Sequence, residues 1–228
     1  MKDIPMSKMP IGLLVALVTA LNLSSFAGAA DAQSFSAEIV STDAGGLPAG
    51  ARGRLNVANG MVRIETPEVG AGFFIVSGDA STAYFVRPAQ RVFMEARQSS
   101  RLTQIFVPLD PDNPCPQWQA TARLAGTIEN GAEWHCERIG ADVVDERDAI
   151  VYRAASPRQK SYRAWIDRKL RFPTRIRSED GATVEIKNIE ITPQPANLFE
   201  IPADYRKFDP QQLIDRIKQS DVWVEPMR

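Results

Sequence analysis

Histidine is nearly absent from this sequence: among 228 residues there is only His135. A Ser-His-Asp or Cys-His arrangement would have to be built on that residue, which stands beside Cys136, and no second catalytic partner is visible near it. Cysteine is almost as scarce. Cys115 and Cys136 form no C-x-x-C pair, and together with His135 they supply too few ligands for a zinc site. Gly-rich phosphate loops, H-E-x-x-H helices and calcium loops are missing as well. Asp142, Asp145 and Glu146 crowd together, but at a turn between strands, where charges are ordinarily solvated. The expectation is a protein without catalytic activity, cofactor or metal.

An excess of either charge is also lacking. The chain has 27 basic and 28 acidic residues, a formal net charge of -1. Nucleic-acid binding, which announces itself by a strongly basic domain, is therefore not expected. Long apolar runs are missing too: the run IGLLVALVTALNL is about thirteen residues, too short to span a bilayer. Lys2 and Lys8 precede it and small residues follow, the pattern of an export signal. Ala27-Gly28-Ala29 and Ala30-Asp31-Ala32 both fit a cleavage site, and cleavage after Ala32 is preferred because an extended segment begins at Ser34. Residues 1–32 are thus expected to be a signal peptide and 33–228 a single exported, periplasmic domain. In an oxidising compartment Cys115 and Cys136 are expected to form a disulfide. Closing that loop would stabilise the fold by about 3 kcal/mol in the chain-entropy model.

What the chain does contain is a series of short alternating runs broken by turn residues, the signal for antiparallel strands. In FSAEIVSTD, Phe35, Ala37 and Ile39 share a face. Asn59-Gly60 separates strands at Arg52–Ala58 and Met61–Thr66, as a type I′ hairpin requires. GFFIV is apolar on both faces, so it is expected to be central and covered on each side. A short helix is expected over 99–106, capped by Ser99 or Ser100. PLDPDNPCPQWQ is expected to be irregular for its prolines. TARLAG, WHCERIGADVV, DAIVYRAA, SYRAWIDR, TRIRSE and TVEIKNIEI follow as strands, and Gly181 sits in the last tight turn. A helix over 210–219, with Asp209 as N-cap and Pro210 at its first position, closes the pattern.

The positive charge is unevenly spread. From Arg147 to Arg177 there are ten basic residues against Asp148 and Asp167. Alternation puts Arg163, Trp165 and Asp167 on one face of their strand, with Arg175 and Arg177 on one face of the next. Arg168, Lys169 and Arg171 fall in the turn between, which Leu170 and Phe172 anchor to the apolar layer. Two readings stay open. One is a solvated face whose long side chains cover apolar strand surface and protect the sheet. The other is a footing for anionic lipid head groups or an acidic partner.

Three segments carry a resemblance: FSAEIVSTD with GRLNVANGMVRIET, GFFIVSGDASTAYFVRPAQRVFMEA, and WIDRKLRFPTRIRSEDGATVEIKNIEITPQPANLFEIPADYRKFD. In their order and punctuation the sequence resembles the periplasmic lipoprotein-carrier superfamily (LolA-like), while residues 98–133 match nothing in that pattern. The resemblance implies a mainly β fold of the α+β kind: a single curved antiparallel sheet forming an unclosed half-barrel, covered by two or three short helices. It also implies a concave apolar face able to hold a lipid, a lipoprotein acyl group or another amphiphile. Candidate lining residues are Phe73, Ile75, Tyr84, Val86, Phe93, Met94, Trp165 and Ile176. In the carriers an arginine early in the sheet helps to hold the lid, and Arg52, Arg54 and Arg63 are the candidates here. The expected partners are a lipid or lipoprotein, with peripheral contact to an anionic membrane surface. The alternative is an envelope interaction or regulatory module that docks another envelope protein on the same scaffold.

Overall fold

The computed structural model describes residues 34–41, 52–66, 71–78, 82–96, 102–126, 134–156 and 159–209. These lie in the unit Ala32–Arg228. The segment expected to be a signal peptide and the helix expected over 210–219 fall outside the described residues.

Among the described residues, twelve strands form one sheet: β1 Phe35–Ser41, β2 Arg52–Ala58, β3 Met61–Glu65, β4 Phe73–Ser77, β5 Ala83–Arg87, β6 Val92–Glu95, β7 His135–Val144, β8 Arg147–Ser156, β9 Gln159–Asp167, β10 Phe172–Ser178, β11 Thr183–Glu190 and β12 Arg206–Lys207. Their order is β12-β6-β5-β4-β3-β2-β1-β11-β10-β9-β8-β7, and the two end strands do not pair. This is the expected unclosed, mainly β half-barrel. One edge departs from a purely antiparallel sheet, because the two-residue β12 runs parallel to β6.

The sequence punctuation sets the hairpins. Asn59 (φ 50°) and Gly60 (φ 74°) turn β2 into β3 with Ala58 opposite Met61, as a type I′ turn requires. Asp145 (φ 47°) and Glu146 (φ 62°) do the same between β7 and β8 without a glycine, with Val144 opposite Arg147. Strand alternation then sorts the side chains into two layers. Phe35, Ala37 and Ile39 of β1, Leu55 and Val57 of β2, Val62 and Ile64 of β3, and Phe74 and Val76 of β4 point into the main core. Phe73 and Ile75 of β4 point the other way, into a second cluster. GFFIV is therefore central and covered on both faces, as its composition implies.

Two helices, α1 Leu102–Ile105 and α2 Cys115–Leu124, cover the inner layer. The helix α1 falls inside the stretch expected to be helical. The helix α2 corrects two expectations: the second half of PLDPDNPCPQWQ is helical, and TARLAG is its last turns, not a strand. Pro114 precedes the helix and Pro116 lies in its first turn, where a proline's missing N–H has no intrahelical partner to lose. The apolar residues of α2 then fall at helical spacing, with Trp118, Thr121 and Ala122 buried.

Candidate functional site

The covering segment is fastened to the sheet by a disulfide and by hydrogen bonds. The disulfide expected from the sequence joins Cys115, the first residue of α2, to Cys136 on β7. The Gln117 amide donates to the carbonyl oxygens of Gly78 (2.8 Å) and Pro108 (2.6 Å). The Leu109 N–H donates to the Arg171 carbonyl at 2.9 Å. Beneath these ties the inner layer is filled by the chain itself. Phe106, Val107, Leu109 and Trp118 are each at most 4% exposed. Trp118 stands edge-on to Tyr152 and Tyr162, and the Phe172 ring lies between Phe35 and Phe106. Tyr152 shares its phenol proton between the carbonyls of Pro111 and Asp112, and burial pushes its pKa up.

The eight apolar candidates are not brought onto one face. Phe73, Ile75 and Val86 lie in the second cluster, on the outer side of the sheet, with Phe93 packed against them and Ile201 and Tyr205 as cover. Tyr84 is on the same side, edge-on to Phe93. Met94 is opposite Phe85, which packs on the inner core, and Ile176 belongs to that core as well. Trp165 sits in a third cluster with Val144, Ala149 and Val151. The reason is the period of two: neighbours such as Phe93 and Met94 must point to opposite faces. The three arginines considered for a lid-holding role are not on the lid side either. Arg63 lies over the Phe73 ring at 3.3 Å, pairs with Glu65 at 2.7 Å and donates to the Leu198 carbonyl at 3.1 Å. It holds the 196–199 turn, not α1 or α2. Arg52 pairs with Glu38, and both it and Arg54 line an outer groove of about 800 Å³.

The basic candidates divide into two groups. Arg168, Lys169 and Arg171 occupy the β9–β10 turn, where Arg168 lies 3.9 Å from Asp112 and Arg171 4.0 Å from Asp110. Asp167, 2% exposed, organises that turn by accepting from Arg147 and from the N–H groups of Lys169 and Leu170. Leu170 and Phe172 are buried beside it, as the sequence implies. Arg163, Arg175 and Arg177 lie on the outer face. Opposite Trp165, Arg175 stacks at 5.4 Å from the indole and pairs with Glu185. Burial pushes the Glu185 carboxyl up, but hydrogen bonds from Lys187 and Arg175 outweigh it and hold the pKa below the ordinary value. Trp165 donates its indole N–H to Asp142 at 2.8 Å. That bond, aided by the Val143 N–H and the Arg175 charge, holds the Asp142 pKa below its ordinary value against the opposing effect of burial. Asp142 is thus a structural acceptor, and its neighbours Asp145 and Glu146 form a turn.

Sequence reasoning missed Arg153, Glu137 and Glu185, because their significance depends on cross-strand register. Arg153 is opposite Arg163, and Arg163 is opposite Arg177. These three arginines line an outer groove of about 450 Å³ with Ser161, Tyr162, Ser178, Glu179 and Gly181. Among the described residues, no group of three or more His, Cys, Asp or Glu side chains could hold a metal ion, and no helix is long and apolar enough to cross a membrane.

No family model and no curated protein matches the sequence. Solved structures do align with it. An uncharacterised conserved protein from Thermus thermophilus aligns at 12% identity and a TM-score of 0.45, over 78% of this chain and 90% of that one. A LolA superfamily protein from Nitrosomonas europaea aligns at 11% and 0.34, over 74% and 90%. The MucA/MucB complex of Pseudomonas aeruginosa aligns at 14% and 0.41, over 76% of this chain and only 57% of that one. At these values the likeness carries no argument about activity, and the half-barrel rests on its own strand order.

Proposed function

We propose that this chain is an exported, non-catalytic binding protein of the cell envelope that presents the outer face of its half-barrel to a ligand or partner. The observation that supports this reading is the closed inner face. An acyl chain there would have to displace Phe106 and Trp118, both at most 2% exposed, while α2 stays linked to β7 through Cys115 and Cys136. The described grooves at Arg54 and at Arg163 are instead on the outer face and lined by charge. The disulfide is consistent with an oxidising compartment, in keeping with periplasmic export.

A brominated fatty acid tests the choice of face. It is expected to leave unchanged the fluorescence of a variant in which Trp118 is the sole tryptophan. Saturable quenching of Trp118 would put the acyl chain in the concave face and overturn the reading.

A further inference from the structure

Strand register juxtaposes Arg153, Arg163 and Arg177, one on each of β8, β9 and β10, in a single row across the outer face. Like charges directly opposite each other on neighbouring strands, which lie about 4.8 Å apart, destabilise a sheet. The adjacent row shows how the chain relieves such a charge when it has the means: Val151, Trp165, Arg175 and Glu185 follow one another, and Arg175 is neutralised by Glu185. The arginine row is not relieved in that way. Arg153 has Glu137 at 3.4 Å. Arg177 faces Thr183, a hydroxyl, where Arg175 faces Glu185. Among the described residues, the Arg163 and Arg177 side chains have no ion-pair or hydrogen-bond partner. Glu179 lines the same groove but forms no ion pair with either of them.

We propose that the groove over Arg153, Arg163 and Arg177 is a binding site for a phosphate group carried by a ligand. This deepens the outer-face reading above and rests on it. Two unpaired guanidinium groups carry the charge that a phosphomonoester dianion balances. Their planar forks match its oxygens two at a time, a geometry that a single ammonium does not offer. A bound dianion would also turn this cross-strand repulsion into a bridge between β9 and β10. The groove of about 450 Å³ accommodates a head group and is distinct from the β9–β10 turn. Arg163 lies five residues from Arg168, so about 16 Å of extended strand separates the two basic groups. The phosphate is either that of a lipid head group or that of a soluble phosphomonoester.

The test uses the mature chain and two probes: inorganic pyrophosphate, followed by calorimetry, and phosphatidylcholine vesicles with or without phosphatidic acid, followed by sedimentation. Saturable binding of either probe is expected, weakened about tenfold for each arginine removed in Arg163→Gln and Arg177→Gln and unchanged in a variant carrying Arg168→Gln, Lys169→Gln and Arg171→Gln. Both variants alter exposed side chains, and thermal melts check that they remain folded. Binding to phosphatidic acid vesicles with no binding of pyrophosphate assigns the phosphate to a lipid head group; binding of pyrophosphate with no sedimentation on those vesicles assigns it to a soluble phosphoester. Equal binding by parent and Arg163→Gln/Arg177→Gln, loss in the turn variant instead, or no saturable binding of either probe overturns the proposal. Capture of an acidic peptide that pyrophosphate does not displace overturns it too, yet leaves the outer-face reading standing. That reading fails separately, through Trp118 quenching.

Discussion

Arg147 at the start of β8 and Asp167 at the end of β9 form an ion pair whose carboxylate is 2% exposed and also accepts two backbone N–H groups of the β9–β10 turn. One side chain thereby fixes both the strand pairing and the geometry of a turn carrying three cations. Asp167→Asn leaves Arg147 facing a neutral amide and replaces a charge-assisted acceptor. Breaking one partner of a buried pair costs about 3 to 5 kcal/mol. Arg147 is a quarter exposed, so the expected loss is nearer about 2 to 3 kcal/mol. Urea denaturation measures it, and a change below about 0.5 kcal/mol, the size of an ordinary surface substitution, would deny Asp167 this role.

The disulfide supplies a second expectation. Cys115 and Cys136 are separated by 21 positions, and opening a loop of that size costs about 3 kcal/mol in the chain-entropy model. The Cys115→Ala/Cys136→Ala variant should lose that much stability and should be insensitive to reductant, while the parent melts lower when reduced. Equal melting of oxidised and reduced parent would contradict it.

The Asp145-Glu146 turn gives a prediction of the opposite sign. Both residues have positive φ, a conformation that disfavours any residue with a Cβ. Glu146→Gly removes that strain and is expected to raise stability by about 0.5 to 1 kcal/mol. A destabilisation would mean that the Glu146 carboxylate does more than close a hairpin.

Acid should act through Glu185. Its folded pKa is depressed by Lys187 and Arg175 despite burial, so the unfolded chain binds the proton first as the pH falls. The stabilisation from this carboxylate is complete above the ordinary glutamate range and is lost progressively as the pH falls through that range to the depressed folded value. Glu185→Gln should flatten the fall in melting temperature over that acidic window and lower stability near neutrality. An unchanged acid profile would place the sensitivity elsewhere.

The outline of this fold was readable because its hairpins are marked by local chemistry. Asn59-Gly60 and Gly181 set turns by their own backbone preferences, and Phe35, Ala37 and Ile39 declare their face by alternation alone. The helix α2 was hidden because two local signals mislead: Pro114 and Pro116 read as breakers, although at a helix N-terminus they are permitted. The outer-face grouping of Phe73, Val86 and Phe93 was hidden for a different reason. An apolar strand residue shows that it is buried, not which of two covered faces it belongs to. The arginine row was the least legible, since Arg153, Arg163 and Arg177 become neighbours only through register, which bulges between Pro173 and Arg175 and between Ala154 and Ser156 shift locally.

The position of β1 in the sheet has a consequence for the order in which the structure assembles. It is the first described strand in the chain, yet it lies in the interior of the sheet, paired on one side with β2 and on the other with β11. Ser36 meets Glu190 across that second pairing. Strands β2 to β6 can zip onto β1 as neighbours, and β7 to β10 can form hairpins among themselves, but the two halves have no common ladder until β11 arrives. Contacts of such sequence separation slow folding. A chain threading through a membrane N-terminus first would hold an open sheet edge along β1 until its last long strand emerged. In that interval the edge is exposed to other chains, and a chaperone that shields extended strands would have its longest engagement with residues 35–41.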